Sequence, residues 1–186
     1  MNTDKIKINF KIIWSILLLV LIDQGIKVYI SSNLMNVNIY FLNDMLGFKP
    51  HINTAYSWLN SLMNLGIGLL AHIILNIIIL IISIAILGFI KQKNKEDKII
   101  NWLFTFLLAG TICSLIDRIF WGGSLDYIYL KNLFIFDLKD AYLTTFQTIL
   151  ILCWIFNYKG FRRLNERLLY NEFKAYIKVE YFKRAE

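Results

Sequence analysis

The chain has 186 residues, 58% of them hydrophobic, a single proline and a formal net charge of +7. Those values exclude a disordered segment, a collagen-like fibre and a small disulfide-stapled secreted domain. The apolar content exceeds the roughly 45–50% of soluble domains, and the excess is gathered into runs, which is the pattern of a membrane protein. Cys113 and Cys153 lie inside such runs and read as small core residues. His51 and His72 are the only histidines, and with no Cys/His cluster at metal spacing, metalloenzyme chemistry is not expected.

A helix needs about 20 residues to cross a hydrocarbon core of roughly 30 Å. Four segments qualify, at about residues 10–31, 65–90, 99–120 and 141–158. The first follows Lys5, Lys7 and Lys11 as a signal peptide would. It lacks a small-residue cleavage site, and its helical pattern runs on through Asp23 and Lys27, so it is expected to remain as a span. The connection 32–64 alternates near Val37 to Leu42 and holds the lone Pro50, which predicts a short sheet outside the membrane. His72, early in the second span, reads as a hydrogen-bonded packing residue. In the tail, Phe161, Leu164, Leu168, Phe173, Tyr176 and Ile177 recur among basic residues, a pattern shared by amphipathic surface helices and ordinary solvated tails.

Basic residues set the orientation. They precede span one, fill the connection of Lys91, Lys93, Lys95 and Lys98, and follow span four as Lys159, Arg162, Arg163 and Arg167, whereas connections 32–64 and 121–140 carry only Lys49, Lys131 and Lys139. Both termini are expected in the cytoplasm and both long connections outside. This topology accounts for the positive charge, so nucleic acid need not be a partner and membrane lipids are. The expected architecture is an all-α integral membrane protein: a four-transmembrane-helix bundle over residues 1–158 with a small extracytoplasmic β-containing loop region, then a basic cytoplasmic tail over 159–186.

Charged residues within spans are expensive and mark functional candidates. Asp23 follows roughly 16 Å of apolar helix, Lys27 lies one turn further on the same face, and Asp117 and Arg118 close the third span. Asp126 and Asp140 flank the entry to the fourth. All converge on the outer side. Competing structural readings are mutual neutralisation for Asp23 and Lys27, and a boundary cap with a snorkelling arginine for Asp117 and Arg118. Ser57, Ser114 and Thr111 have no positioned His or Lys base visible in the sequence, which leaves a serine-type protease with little support.

Five blocks then carry a resemblance. Asp23-Gln24-Gly25-Ile26-Lys27 resembles the D-Q-x-x-K signature of bacterial lipoprotein signal peptidases (signal peptidase II). His51-Ile52-Asn53-Thr54-Ala55-Tyr56-Ser57 looks like that family's N-x-G-x-A-F-S loop, and Ala109 to Arg118 resembles its G-G-x-x-G-N-x-x-D-R block. Leu125-Asp126-Tyr127-Ile128 is similar to V-x-D-x-I, and Phe136 to Ala141 to F-N-x-A-D. The blocks come in family order over about residues 10–158. The chain departs from the pattern at His51, Asn53, Ser114, Asp137 and Lys139, where the family has asparagine, glycine, asparagine, asparagine and alanine. Asp137 brings a third carboxylate near the matched pair, and Lys139 a counter-charge beside it.

The resemblance implies an aspartic endopeptidase of the bacterial inner membrane, acting as a monomer. It would cut prolipoproteins just before a diacylglyceryl-modified cysteine, with no metal or organic cofactor. Asp126 and Asp140 match the catalytic pair. Asp23, Lys27 and Arg118 match pocket positions, and Asn53, Ser114 and Asp137 are expected beside them. The rival reading is a non-catalytic relative that binds lipopeptides or assists another membrane protein. A transporter or channel ranks last, because the inner halves of spans two and four are nearly all apolar.

Overall fold

A computed structural model of the chain describes residues 10–93, 97–158 and 166–178. Lys5, Lys7, Lys95, Lys159, Arg162 and Arg163, which carry part of the expected orientation, lie outside these residues, as do Phe161 and Leu164 of the tail. The elements in chain order are α1 (Phe10–Asn33), β1 (Ile39–Phe41), β2 (Leu46–Asn53), α2 (Trp58–Met63), α3 (Leu69–Lys93) and α4 (Lys98–Ile116). A π-helical turn (Asp117–Trp121), β3 (Ser124–Leu130), β4 (Ile135–Phe136), α5 (Leu138–Ile155) and α6 (Glu166–Ile177) follow.

Helices α1, α3 and α4 are apolar nearly all round, so hydrophobicity alone does not say which face turns inward. On α1 the buried residues are Ile12, Ile16, Val20, Asp23, Lys27 and Ile30, spaced by three and four, while Trp14, Leu17, Leu18 and Leu21 face outward. The stripe is apolar in its first half and charged in its second. Helix α4 is the hub: 56% of its apolar stretch is buried, against 17% for α1 and 28% for α3, and it packs on α1, α3 and α5. Its inner residues Leu103, Phe104, Leu108 and Cys113 form one core with Ile12, Ile16, Val20, Leu87 and Tyr142. Both cysteines are buried and free.

Among the described residues, three helices are long and apolar enough to cross a membrane: Phe10–Asn33, Leu69–Gln92 and Lys98–Trp121, the last including the π-helical turn. Helix α5 is shorter, at 18 residues, and its first turns carry Lys139, Asp140, Thr144 and Thr145. It lies close against α4. A Cβ on Gly110 would stand 2.7 Å from the Leu143 side chain, so only glycine admits this approach.

The expected sheet exists and is larger than the alternation near Val37 implied: four antiparallel strands in the order β1-β2-β3-β4. The β2–β3 register pairs His51 with Asp126 and Asn53 with Ser124, and a bulge between Phe48 and His51 holds Lys49 and Pro50. A bulge is where a residue lacking an N–H can sit within a strand. Gly122, at φ +62°, turns the chain out of the π-helical turn toward β3.

The second span begins later than the 65–90 read from hydropathy. Asn60 binds both the N–H (3.0 Å) and the carbonyl (2.9 Å) of Ile67 and holds residues 65–68 as a loop beneath α2. His72 is buried and bonded as expected, to the Gly68 carbonyl at 3.0 Å. In the tail, α6 forms a helix whose Phe173 and Tyr176 rings meet Phe89 of α3 at 5.4 and 5.7 Å.

Gly110→Val tests the α4–α5 contact. Overpacking at a close helix crossing costs typically about 1–3 kcal/mol, so thermal unfolding in detergent is expected several degrees below the wild type. An unchanged midpoint would mean that the two helices do not approach this closely.

Candidate active site

The charged half of the α1 stripe meets the end of α4 and the start of α5. Lys27 Nζ lies 2.9 Å from Asp23, 2.6 Å from Asp117 and 2.6 Å from Asp137, and all four side chains are fully buried. An unpaired ion in such a place would cost several kcal/mol of desolvation, so one ammonium serves three carboxylates. Gln24 extends the join, donating to Asp23 (2.9 Å) and Asp117 (3.0 Å) while accepting from the Trp121 indole (3.1 Å). The Lys139 backbone N–H donates to Asp23 Oδ1 at 3.1 Å, which ties the first turn of α5 to α1. Mutual neutralisation of Asp23 and Lys27 is therefore present, within a wider network.

Asp137 caps α5. Its Oδ1 accepts from the Asp140 N–H at 3.1 Å, and Asp140 Oδ2 accepts from the Asp137 N–H at 3.3 Å, a reciprocal capping box. This fixes Asp140 at the mouth of the helix, one residue ahead of the apolar segment 141–158. Strand β3 brings Asp126 to the same place, and oxygens of Asp126, Asp137 and Asp140 lie within 4.8 Å of one another. Three carboxylates at that spacing have the donor chemistry of a cation site, but an ammonium already stands against two of them: Lys139 Nζ is 2.5 Å from Asp137 and 3.7 Å from Asp126. Asp126 is further bonded by the Ser124 hydroxyl (2.5 Å) and the Asn53 amide (3.2 Å).

The three carboxyls are not equivalent. Burial raises the affinity of each for a proton. At Asp137 the neighbouring Lys139 and Lys27 ammonium groups overcome that and hold it below the usual carboxylate range. At Asp126 burial wins over the pull of Lys139 and, with the Asp137 charge, lifts the carboxyl above that range. Asp140 is pushed up to about 7, chiefly by burial, against the pull of Lys139 and with the Asp137 and Asp126 charges adding. The three carboxyls thus differ in proton affinity: Asp137 ionises most readily, and Asp126 and Asp140 hold a proton more tightly.

Arg118 corrects the snorkelling reading. It is 7% exposed and turns inward, donating to the Ser114 carbonyl at 2.7 Å, to the Ser114 hydroxyl and to the Tyr56 carbonyl. It pins the loop of Asn53 to Ser57 to the end of α4, and Ser114 reaches the site only through it. Asp23, Lys27, Asn53, Asp126, Asp137 and Asp140 lie together in one cluster. Ser124 and Lys139 are further members that the set of expected site residues omitted; Ser124 carries no sequence signal beyond lying two residues before Asp126 in a strand. The sequence also gave no base for Ser57, yet His72 Nε2 lies 3.3 Å from its hydroxyl, which also accepts from the Asn60 N–H at the start of α2. This pair anchors the loop.

A family model described as Signal peptidase (SPase) II matches residues 15–156. Lipoprotein signal peptidases of Brucella ovis and Brucella canis are each 28% identical over 151 residues, covering 75% of this chain and 89% of theirs. Two solved structures, each described as a bacterial membrane enzyme studied by the in meso method, share the fold with TM-scores of 0.65. At 2.3 Å resolution the identity is 21%, covering 81% of this chain and 91% of that one; at 1.9 Å it is 22%, covering 83% and 97%.

Lys27→Met would leave Asp23, Asp117 and Asp137 around an uncharged side chain. Removing one partner of a buried ion pair costs about 3–5 kcal/mol, so denaturant unfolding in detergent should show a loss of that order, and a wild-type midpoint would count against Lys27 as the shared counter-ion.

Proposed function

The chain belongs to the signal peptidase II family, a family of bacterial membrane proteases, and on that premise we propose that it is an aspartic endopeptidase. Its substrates are prolipoproteins, cut before a diacylglyceryl-modified cysteine. The observation that carries the reading is the meeting of Asp126 and Asp140 at one point, both with raised proton affinity, beside an Asp137 held ionised.

Two carboxyls that share one proton can do both halves of peptide hydrolysis. The ionised member takes a proton from water as its oxygen bonds to the scissile carbonyl carbon. The protonated member gives its proton to the carbonyl oxygen. The tetrahedral adduct then collapses: the carboxyl that took the water proton gives it to the nitrogen, the C–N bond breaks to free the new amino terminus, and a hydroxyl of the adduct returns its proton to the other carboxylate, so the pair again holds one proton. Asp23, Lys27 and Arg118 balance charge and hold the pocket walls. Asn53 and Ser124 orient Asp126. No step in this scheme calls on a metal or organic cofactor.

The same reading assigns residues 141–158 as a fourth membrane crossing, both termini to the cytoplasm and the sheet to the outer face. The peptidase unit spans residues 1–158, and the tail 159–186 lies at the cytoplasmic surface. A lipid-modified substrate keeps its acyl chains in the outer leaflet and its signal helix across the bilayer, so its scissile bond falls where these two meet. A carboxyl pair at the outer end of a helix bundle stands at that depth. A single chain supplies every residue that this scheme uses, which is compatible with a monomeric enzyme.

The test is cleavage of a diacylglyceryl-modified prolipoprotein by the purified protein. Asp126→Asn and Asp140→Asn are each expected to lower kcat by at least about 10³-fold while leaving unfolding and membrane insertion near wild type. With Asp140 near 7, kcat/KM should fall as pH rises through about 7, where the pair loses its shared proton. Undiminished cleavage by either variant overturns the dyad. No cleavage by a folded wild type on several substrates supports a lipopeptide-binding relative instead.

A further inference from the structure

Lys139 meets Asp137 at 2.5 Å, so its charge is balanced locally, yet its reach is wider. The same Nζ lies 3.2 Å from Asp117 and 3.7 Å from Asp126, and it donates to the Ser124 hydroxyl. A hydroxyl carries one proton. With its oxygen facing an ammonium, that proton points away, and Ser124 Oγ lies 2.5 Å from Asp126 Oδ1 against 3.4 Å from Asp117. The other oxygen of Asp126 accepts from Asn53, whose own Oδ1 is fixed by the Ala55 N–H at 3.0 Å. Both oxygens of Asp126 therefore face donors whose orientation is set, which favours the ionised form. Asp140 differs: its bond from the Asp137 N–H uses one oxygen, and a protonated carboxyl can keep that bond and still donate its O–H.

We propose that Lys139 is a positioning residue that breaks the symmetry of the pair: through the Ser124 hydroxyl it keeps Asp126 as the ionised member that receives the water proton, and leaves the shared proton on Asp140. The proposal rests on the peptidase reading for its consequence, but not for its test. The groups around Asp126 are His51 and Asn53 on β2, Asp117 and Arg118 at the end of α4, Lys27 on α1, and Asp137, Lys139 and Asp140 at the start of α5. Beyond the Asp140→Asn background, Ser124→Ala leaves all of them in place and Lys139→Met removes one.

In Asp140→Asn, Asp126 titrates without its partner. Its midpoint can be followed by the carboxyl infrared band, with the Asp126→Asn/Asp140→Asn double as the subtracted reference. Adding Ser124→Ala should raise that midpoint by about half a unit or more, and Lys139→Met by about one unit or more, a tenfold change in proton affinity. In the Asp126→Asn background, Ser124→Ala should leave the Asp140 midpoint within about 0.3 unit. An Asp126 midpoint unmoved by Ser124→Ala, or an equal shift at Asp140, overturns the proposal. If Lys139→Met does not fold, Ser124→Ala decides alone. In the otherwise wild-type enzyme, Ser124→Ala should move the ascending limb of kcat/KM to higher pH with KM changed less than about twofold. The titrations use inactive backgrounds, so a failure of the peptidase reading, seen as no cleavage by the wild type, is separate from a failure here.

Discussion

The fold turns on one ammonium group. Lys27 is fully buried in a helix that otherwise presents apolar side chains, and it stays charged only because Asp23, Asp117 and Asp137 close around it at 2.6–2.9 Å. Those three come from α1, the end of α4 and the residue before α5. No apolar contact could impose this, since lipid-facing and inward-facing residues have nearly the same hydrophobicity. The ionic cluster sets the rotation of α1 and the height at which α4 and α5 meet it. It also places the capping box that aims Asp140.

From that anchor the site follows in short steps. The π-helical turn after α4 carries Asp117 to Lys27 and lets Arg118 reach back to Ser114 and across to the Tyr56 carbonyl. Gly122 then releases the chain into β3, whose pairing with β2 sets Asp126 beside Asn53. Asp126 and Asp140 thus reach one point from opposite directions, one along a strand and one on a helix cap.

Much of this was legible in the sequence. Asp23 and Lys27 were readable because their four-residue spacing puts both on one face, and the spans because apolar runs of membrane length have few other uses. The convergence of Asp126 and Asp140 followed from topology together with the family motifs. Other features depend on contacts that spacing does not encode. Arg118 looked like a snorkelling residue because a helix end at a membrane boundary permits it, and only the packing of the 53–57 loop turns it inward. Ser57 and His72 meet because Asn60 folds residues 60–67 into a compact turn, a closure made by one amide side chain. The role of Ser124 was hidden because a small hydroxyl in a strand has no pattern of its own. Lys139 was visible as a counter-charge; its hold on Asp117 and on the Ser124 hydroxyl was not.

The Asp137–Lys139 pair also constrains how this site can change over time. Two departures from the family motif sit two residues apart and touch at 2.5 Å, so a change at either alters the charge that the other meets. Lysine lost first leaves Asp137 to Lys27 alone, at 2.6 Å, and takes the ammonium away from Asp126; aspartate lost first leaves Lys139 to Asp117 at 3.2 Å and Asp126 at 3.7 Å. Because the two side chains touch, the effects of changing them are expected to be non-additive. Coupling of this kind ties the two positions to one another, so the residue tolerated at one depends on the residue held at the other.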